Sequence, residues 1–368
     1  MTIGVLHSLS GTMADSERPL VDALTLAMEE INHQGGVLGR PLKMIVADTQ
    51  SDEKTAALEA KRMLTEHKAV ALFGCWTSSC RKAVKEVVEQ QKGLLFYPLQ
   101  YEGMEQSPNI IYTGAVTNQQ IVPAVNWALE NLGKKIYLVG SDYVFPRSAH
   151  ALIKAMAQLQ NATIVGESYL PLGAQNVAEV LSDINQQQPD VVLNTINGSS
   201  NLAFFAQYKQ SSISHIPVLS FSIAESGLVN IPDLMTGHYA AWGYFQSVDR
   251  EENRVFVAAF RNRFGAHRVV DDPMEASYIG LKLWAQGVKE AESTTPGIVD
   301  RAILRQSTNA PQGIVSLDSS TRHTWRTVRI GRAQKDGQFV VVWTSERTIR
   351  PEPFPNWFLS NNQPLRSK

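Results

Sequence analysis

The chain has 368 residues, 43% of them hydrophobic and 19% charged, with 34 basic and 35 acidic side chains and a formal net charge of −1. That length exceeds a single compact core and predicts two domains, and the composition is that of an ordinary globular protein rather than a disordered or fibrous one. Balanced charge without a long run of either sign excludes a polyanion, so no nucleic acid is expected, and no apolar stretch approaches the roughly 20 residues that cross a bilayer.

Met1 leads directly into a β-rich run, Thr2 to His7, with no basic and apolar regions of a signal peptide before it. The expectation is therefore either a cytoplasmic protein or a sequence that begins after a removed leader or anchor. A hydroxyl-rich loop follows, then a helix with Leu20, Leu24, Ala27, Met28 and Ile31 on one face. Gly35-Gly36 follows this helix and precedes the strand Lys43 to Ala47, the reverse of the order that a phosphate-cradling loop requires. A helix from Asp52 to Lys68, a strand from Ala69 to Phe73, a helix from Arg81 to Gln91, and strands Gly93 to Tyr97 and Ile110 to Thr113 complete the first third.

After Asn118 the rhythm restarts. Strands are expected at Lys135 to Gly140, Thr163 to Leu170, Val191 to Ile196, Val218 to Phe221 and Tyr239 to Phe245, with helices between them. Helices resume at Glu251 to Phe264, Glu275 to Lys289 and Pro296 to Arg305, without a new β-α repeat, and a hairpin spans Arg326 to Ser345. Such alternation predicts an α/β fold of doubly wound parallel sheets, whose ligands lie at the carboxyl ends of the strands.

The stretch from Gly74 to Arg81, GCWTSSCR, is a sharp turn into a helix beginning near Cys80. Its hydroxyls either cap that helix or, with the unpartnered amides of the helix N-terminus, meet a ligand oxygen. Cys75 and Cys80, the two cysteines, are either buried thiols or a local disulfide, and no companion ligands suggest a metal site. No nucleophile elbow, HExxH, P-loop or dinucleotide fingerprint is present, so no catalytic residue and no cofactor are assigned. The strand-end loops instead carry Thr77, Ser78, Tyr97, Gln100, Tyr101, Tyr143, Phe145, Asn197, Tyr239, Trp242 and Tyr244, with Trp76 and Leu99 in the same loops and the carboxylate Glu225 as the exception. These neutral donors and acceptors, walled by aromatic rings, suit a small neutral polar ligand. Each ring has a plain alternative as core packing, and Glu225 either accepts ligand N–H groups or caps the turn after it.

Several runs together carry a resemblance: GCWTSSCRKAV at Gly74, FYPLQYEG at Phe96, SPNIIYTGA at Ser107, GSDYVFPR at Gly140, LNTINGSSN at Leu193, FSIAE at Phe221, YAAWGYF at Tyr239, HTWRTVRIG at His323 and IRPEPFP at Ile349. From Ile3 to about Pro355 the chain resembles the urea-binding receptors of bacterial ABC importers, type I periplasmic binding proteins related to branched-chain amino acid receptors and short-chain amide sensors. The resemblance implies two lobes joined by a three-crossover hinge, residues 1–117 with 247–324 and residues 118–246 with 325–368. It implies that Ser78, Tyr97 and the Leu99-Gln100 backbone hold the ligand carbonyl from the first lobe, and that Tyr143 and Glu225 close over it from the second. The implied ligand is urea or a short-chain amide, and the implied partners are importer membrane subunits in an extracytoplasmic setting. The alternative partner is a signalling protein, with this chain as a cytoplasmic amide-sensor-like regulator or the input domain of a two-component kinase.

Overall fold

The computed structural model describes residues 1–358. Thr2–His7 (β1), Ala14–His33 (α1), Lys43–Asp48 (β2), Glu53–Thr65 (α2), Leu72–Gly74 (β3), Ser78–Gln90 (α3), Leu95–Tyr97 (β4) and Ile110–Tyr112 (β5) alternate as the hydrophobic pattern predicts. The second run is Ile121–Asn131 (α4), Lys135–Ser141 (β6), Val144–Leu159 (α5), Thr163–Leu170 (β7), Ala178–Gln187 (α6), Val191–Thr195 (β8), Ser200–Gln210 (α7), Val218–Ser220 (β9), the short helices Glu225–Leu228 (α8) and Pro232–Met235 (α9), and Tyr239–Trp242 (β10). Glu251–Phe264 (α10), Asp272–Ala291 (α11) and Pro296–Ile303 (α12) follow, then Ser307–Ala310 (β11), Gly313–Ser316 (β12), Arg329–Ala333 (β13) and Phe339–Thr344 (β14). The β11–β12 hairpin is not anticipated by the sequence reading, because STNA and GIVS are short and carry little of the β-branched alternation that marks a strand.

Two sheets organise these elements. The first runs β2-β1-β3-β4-β5, all parallel; the second runs β14-β13-β10-β9-β8-β6-β7, parallel from β10 to β7 and antiparallel at β13 and β14. Each sheet has its own apolar core. Helices α10 to α12 join the first one: Phe256, Phe260, Met274, Trp284 and Ile303 pack with Ile3, Leu24 and Phe73. Helix α11 is buried along most of its length, which is why its pattern reads as nearly continuous rather than amphipathic. Asp271 caps it by accepting the Met274 amide at 3.1 Å, with Pro273 in the first turn. These are the parallel-sheet lobes of an α/β fold.

The chain crosses between the sheets after β5, β10 and β12, and the three crossovers converge on one buried ion pair. Arg326, from the third, donates to the Thr113 carbonyl of the first and to Asp272 at 2.5 Å. The same Asp272 oxygen accepts the Tyr244 amide of the second at 2.8 Å. Past β14 the chain returns to this hinge, where the Met104 amide donates to Pro353 O at 2.7 Å and Gln119 Nε2 donates to both Thr324 O and Ile349 O at 2.9 Å. Residues 359–368, placed by the resemblance with the second lobe, lie outside the described residues.

Candidate functional site

The turn after β3 is built on a glycine. Gly74 has φ +142°, and a Cβ there would lie 2.1 Å from the Leu6 carbonyl of the neighbouring strand. Gly74→Ala is therefore expected to destabilise the protein by about 2 kcal/mol; a denaturation midpoint unchanged from the parent would refute this. Cys75 follows at φ 63°, and its sulfur is bonded to that of Cys80, so the local disulfide is the alternative that the structure adopts. Helix α3 starts at Ser78, two residues earlier than the sequence suggests. Thr77 caps it, accepting the Cys80 amide at 3.2 Å, so the side chain of Thr77 serves its own helix.

Ser78 is also committed, though to partners that sequence reasoning missed. Its hydroxyl donates to Glu102 at 2.5 Å and accepts from Arg81 at 2.9 Å. Arg81 is fully buried, paired with Glu102 at 2.9 Å and Glu105 at 2.8 Å, and its guanidinium lies over the rings of Tyr101 and Tyr97. Burial opposes its charge, but Glu102, Tyr97 and Glu105 more than offset this and hold its pKa well above the ordinary arginine value. Burial likewise pushes the Glu105 carboxyl up, and Arg81 with Lys85 and Lys82 brings it net below its usual range. A signal existed: Arg81 occupies the same buried face of α3 as Val84 and Val88, and an arginine in an apolar stripe requires a buried partner.

Tyr97 ends β4 with its phenol donating to the Trp76 carbonyl at 2.7 Å, and Leu99 is buried behind it. Three contacts cross between the lobes here. Trp76 Nε1 donates to Asn197 Oδ1 at 3.1 Å, Gln100 Nε2 donates to the Phe221 carbonyl at 2.9 Å, and Thr12 bonds the amide and hydroxyl of Ser199. Tyr143, partly buried at the start of α5, faces the first lobe closely enough that burial, then the Tyr97 phenol and Glu102, push its own phenol well above the usual range. Phe145 stands beside Tyr143 as a core residue.

The other second-lobe candidates divide. Trp242, at the carboxyl end of β10, is in the core and braces the turn after β9 by donating Nε1 to Ile223 O at 2.7 Å. Tyr239 is at the opposite, amino end of β10, packed on Trp127 of α4 with ring centroids 5.0 Å apart. A strand of four residues cannot bring both of its ends to the cleft, so the structure removes Tyr239 from the site. Glu225 is fully buried; its Oε1 accepts the Gln246 amide at 2.6 Å and its Oε2 has no partner. Burial, and then Asp271, raise its pKa well above the carboxylate range, and its bond to Gln246 sets it against the second crossover.

Gln120, which the sequence does not single out, and Ser222, at the strand end after β9, complete the picture. Gln120 Nε2 donates to the Phe221 carbonyl at 3.2 Å and to Ala241 O at 2.7 Å. Gln100 Oε1, Gln120 Oε1 and Ser222 Oγ are buried and lack a hydrogen-bond partner. All three therefore belong to residues gathered at one strand end, around Phe221. Ser222 and Trp76 also line a cleft of about 1010 Å³ between the lobes. Its first-lobe wall includes Leu9, Arg18, Pro19 and Arg268, and its second-lobe wall Leu202, Ile223, Ala224, Val229 and Ile231. Among the described residues no group of three or more His, Cys, Asp or Glu is placed to hold a metal ion, and no helix is long and apolar enough to cross a membrane.

Comparison with known proteins gives the same architecture. The solute binding protein of an ABC transporter from Rhodopseudomonas palustris HaA2, solved with p-hydroxybenzoic acid, superimposes with a TM-score of 0.88 at 21% identity, covering 98% of this chain and 99% of that one. Leu/Ile/Val-binding protein homolog 8 of Brucella abortus is 20% identical over 94% of this chain and 91% of its own length. A limonene hydroxylase of Geobacillus stearothermophilus is 35% identical over 117 residues, 32% of this chain and 21% of that protein, so the match spans about a fifth of that relative. Residues 1–359 match the periplasmic binding protein domain, and the chain belongs to that family of binding receptors.

Proposed function

We propose that this protein is the extracytoplasmic solute receptor of an ABC importer and that it captures urea or a similarly small amide between its lobes. The observation that carries the reading is the set of three buried, unpartnered acceptors around Phe221: Gln100 Oε1, Gln120 Oε1 and Ser222 Oγ. A buried acceptor without a donor costs about 1–3 kcal/mol, so such a set calls for a molecule dense in N–H groups. Urea offers four and one carbonyl. For that carbonyl, the first amides of α3 have no intrahelical partner, and Tyr143 at the start of α5 is the second-lobe ring assigned to cover it. Because Gln100 reaches Phe221 only when the lobes meet, a ligand bound there favours the closed state.

The receptor part of the reading is supported by the family and by relatives named as solute-binding and Leu/Ile/Val-binding proteins. The Cys75–Cys80 disulfide supports an oxidising compartment. Calorimetry with urea, formamide, acetamide, leucine and p-hydroxybenzoate tests the ligand: urea is expected to bind and be recovered intact. Gln100→Leu is expected to weaken urea by at least about tenfold while moving the melting temperature by less than about 3 °C. Tight binding of leucine or p-hydroxybenzoate with no response to urea would overturn the specificity.

A further inference from the structure

Urea alone leaves most of the cleft unused. The site around Phe221 presents three unpartnered acceptors, whereas urea carries four N–H groups. Ser222 is both one of those acceptors and part of the wall of the 1010 Å³ cleft, so the site opens into the larger space on the Ser222 side. From there the second-lobe wall carries the apolar side chains of Leu202, Ile223, Val229 and Ile231, with Ser199, Asn201, Ser226 and Asn230 between and beside them, and Trp76 joins the lining from the first lobe. Leu202 and Val229 are 51% and 39% exposed, apolar surface that the protein's own packing does not cover.

We infer that the preferred ligand is a monosubstituted urea, its head at Phe221 and an apolar substituent along the Leu202–Val229 wall. This rests on the small-amide reading above and narrows it. A monosubstituted urea keeps three N–H donors, one for each unpartnered acceptor, and directs its fourth position away from them. The substituent then replaces water against Trp76, Ile223 and Val229, and each methylene moved from water onto an apolar wall is worth roughly fourfold in affinity. The charged residues of the cleft, Arg18 and Arg268 among them, lie on the first-lobe wall, opposite the path assigned to the substituent.

The test is a calorimetric series of urea, ethylurea, butylurea and phenylurea on the full chain, repeated on a Leu202→Asp, Val229→Asp variant. Both positions are exposed enough for the change to be carried without unfolding, which a melting curve checks. Butylurea is expected to bind at least about tenfold more tightly than urea, and the variant is expected to lose most of that advantage while retaining the affinity for urea. Urea binding with no gain from the alkyl chain overturns the inference and leaves the small-amide reading standing. A gain that survives in the variant removes the substituent from this wall and overturns it as well. If no member of the series binds, the small-amide reading falls and the inference falls with it.

Discussion

Replacing Arg81 by methionine is expected to destabilise the protein by about 3–5 kcal/mol, the largest single-residue effect anticipated in the first lobe. The side chain is fully buried and holds Glu102, Glu105 and Ser78 at once. Methionine fills much of the volume but leaves two carboxylates buried without their counter-ion, and that uncompensated charge, rather than the loss of attraction, accounts for the cost. Lys82 and Lys85 approach Glu105 at 3.5 and 3.7 Å from the surface and offset only part of it. Because Ser78 opens α3 and its hydroxyl bonds Arg81, the same change is expected to loosen the turn that carries Trp76. Chemical denaturation reads the first effect. The triple change Arg81→Met, Glu102→Gln, Glu105→Gln, which removes the charges together, is expected to recover a large part of the stability. A single variant as stable as the parent would show that the network contributes little.

The second large effect is a pH dependence at the hinge. Asp271 is fully buried with one oxygen capping α11, and burial raises its pKa from 3.8 to about 6 against the opposing pull of Ser226 and the Met274 amide. Glu275, on the same helix, is raised to about 7 by burial, with Arg326 opposing. For an acid whose folded pKa is raised, the folded state holds its proton more tightly. The contribution is whole below the unfolded pKa and is lost as pH rises through the folded one. For Asp271 that window runs from about pH 4 to just above pH 6, and the loss is on the order of 3 kcal/mol. His150, His238 and His323, each lowered to about 4 chiefly by burial, act in the opposite sense over pH 4 to 6.5, so the parent's own curve is the balance of the two. The informative measurement is a difference. Asp271→Asn keeps a capping oxygen and removes the titration, so its stability is expected to gain on the parent by that amount between pH 4 and 7. Parallel curves would eliminate the effect.

Much of the fold was legible in the sequence because parallel β-α units bury regular stripes. Leu20, Leu24 and Ala27 on α1 mark their helix, and the apolar runs of β3, β4 and β8 mark the strand ends that carry Trp76, Gln100 and Asn197. What stayed hidden is polar and non-local. Arg81 finds Glu102 and Glu105 more than twenty residues on, across a loop that no periodicity describes. Gln120 becomes a site residue only because its side chain reaches the Phe221 carbonyl from 101 residues earlier in the chain. Tyr239 illustrates the reverse error. It shares a motif with Trp242, yet the two residues stand at opposite ends of β10 and their rings pack in different cores. Glu225 was visible as a strand-end carboxylate, but its contact with the Gln246 amide belongs to a crossover whose path the local pattern does not reveal.

The order of strands in the second sheet bears on how the molecule is made. Strand β10 pairs with β13, Tyr239 against Arg332, and between them α10, α11, α12 and the β11–β12 hairpin pack on the core of the first sheet. During synthesis the second lobe therefore waits with β10 as a bare edge until the first lobe has been completed and the hairpin has emerged. Its last pairing is among the most distant in the chain, which places docking of β13–β14 late and makes it slow. A chain stopped just before Arg329 would present that edge permanently, and it would assemble with other copies of itself before it folded.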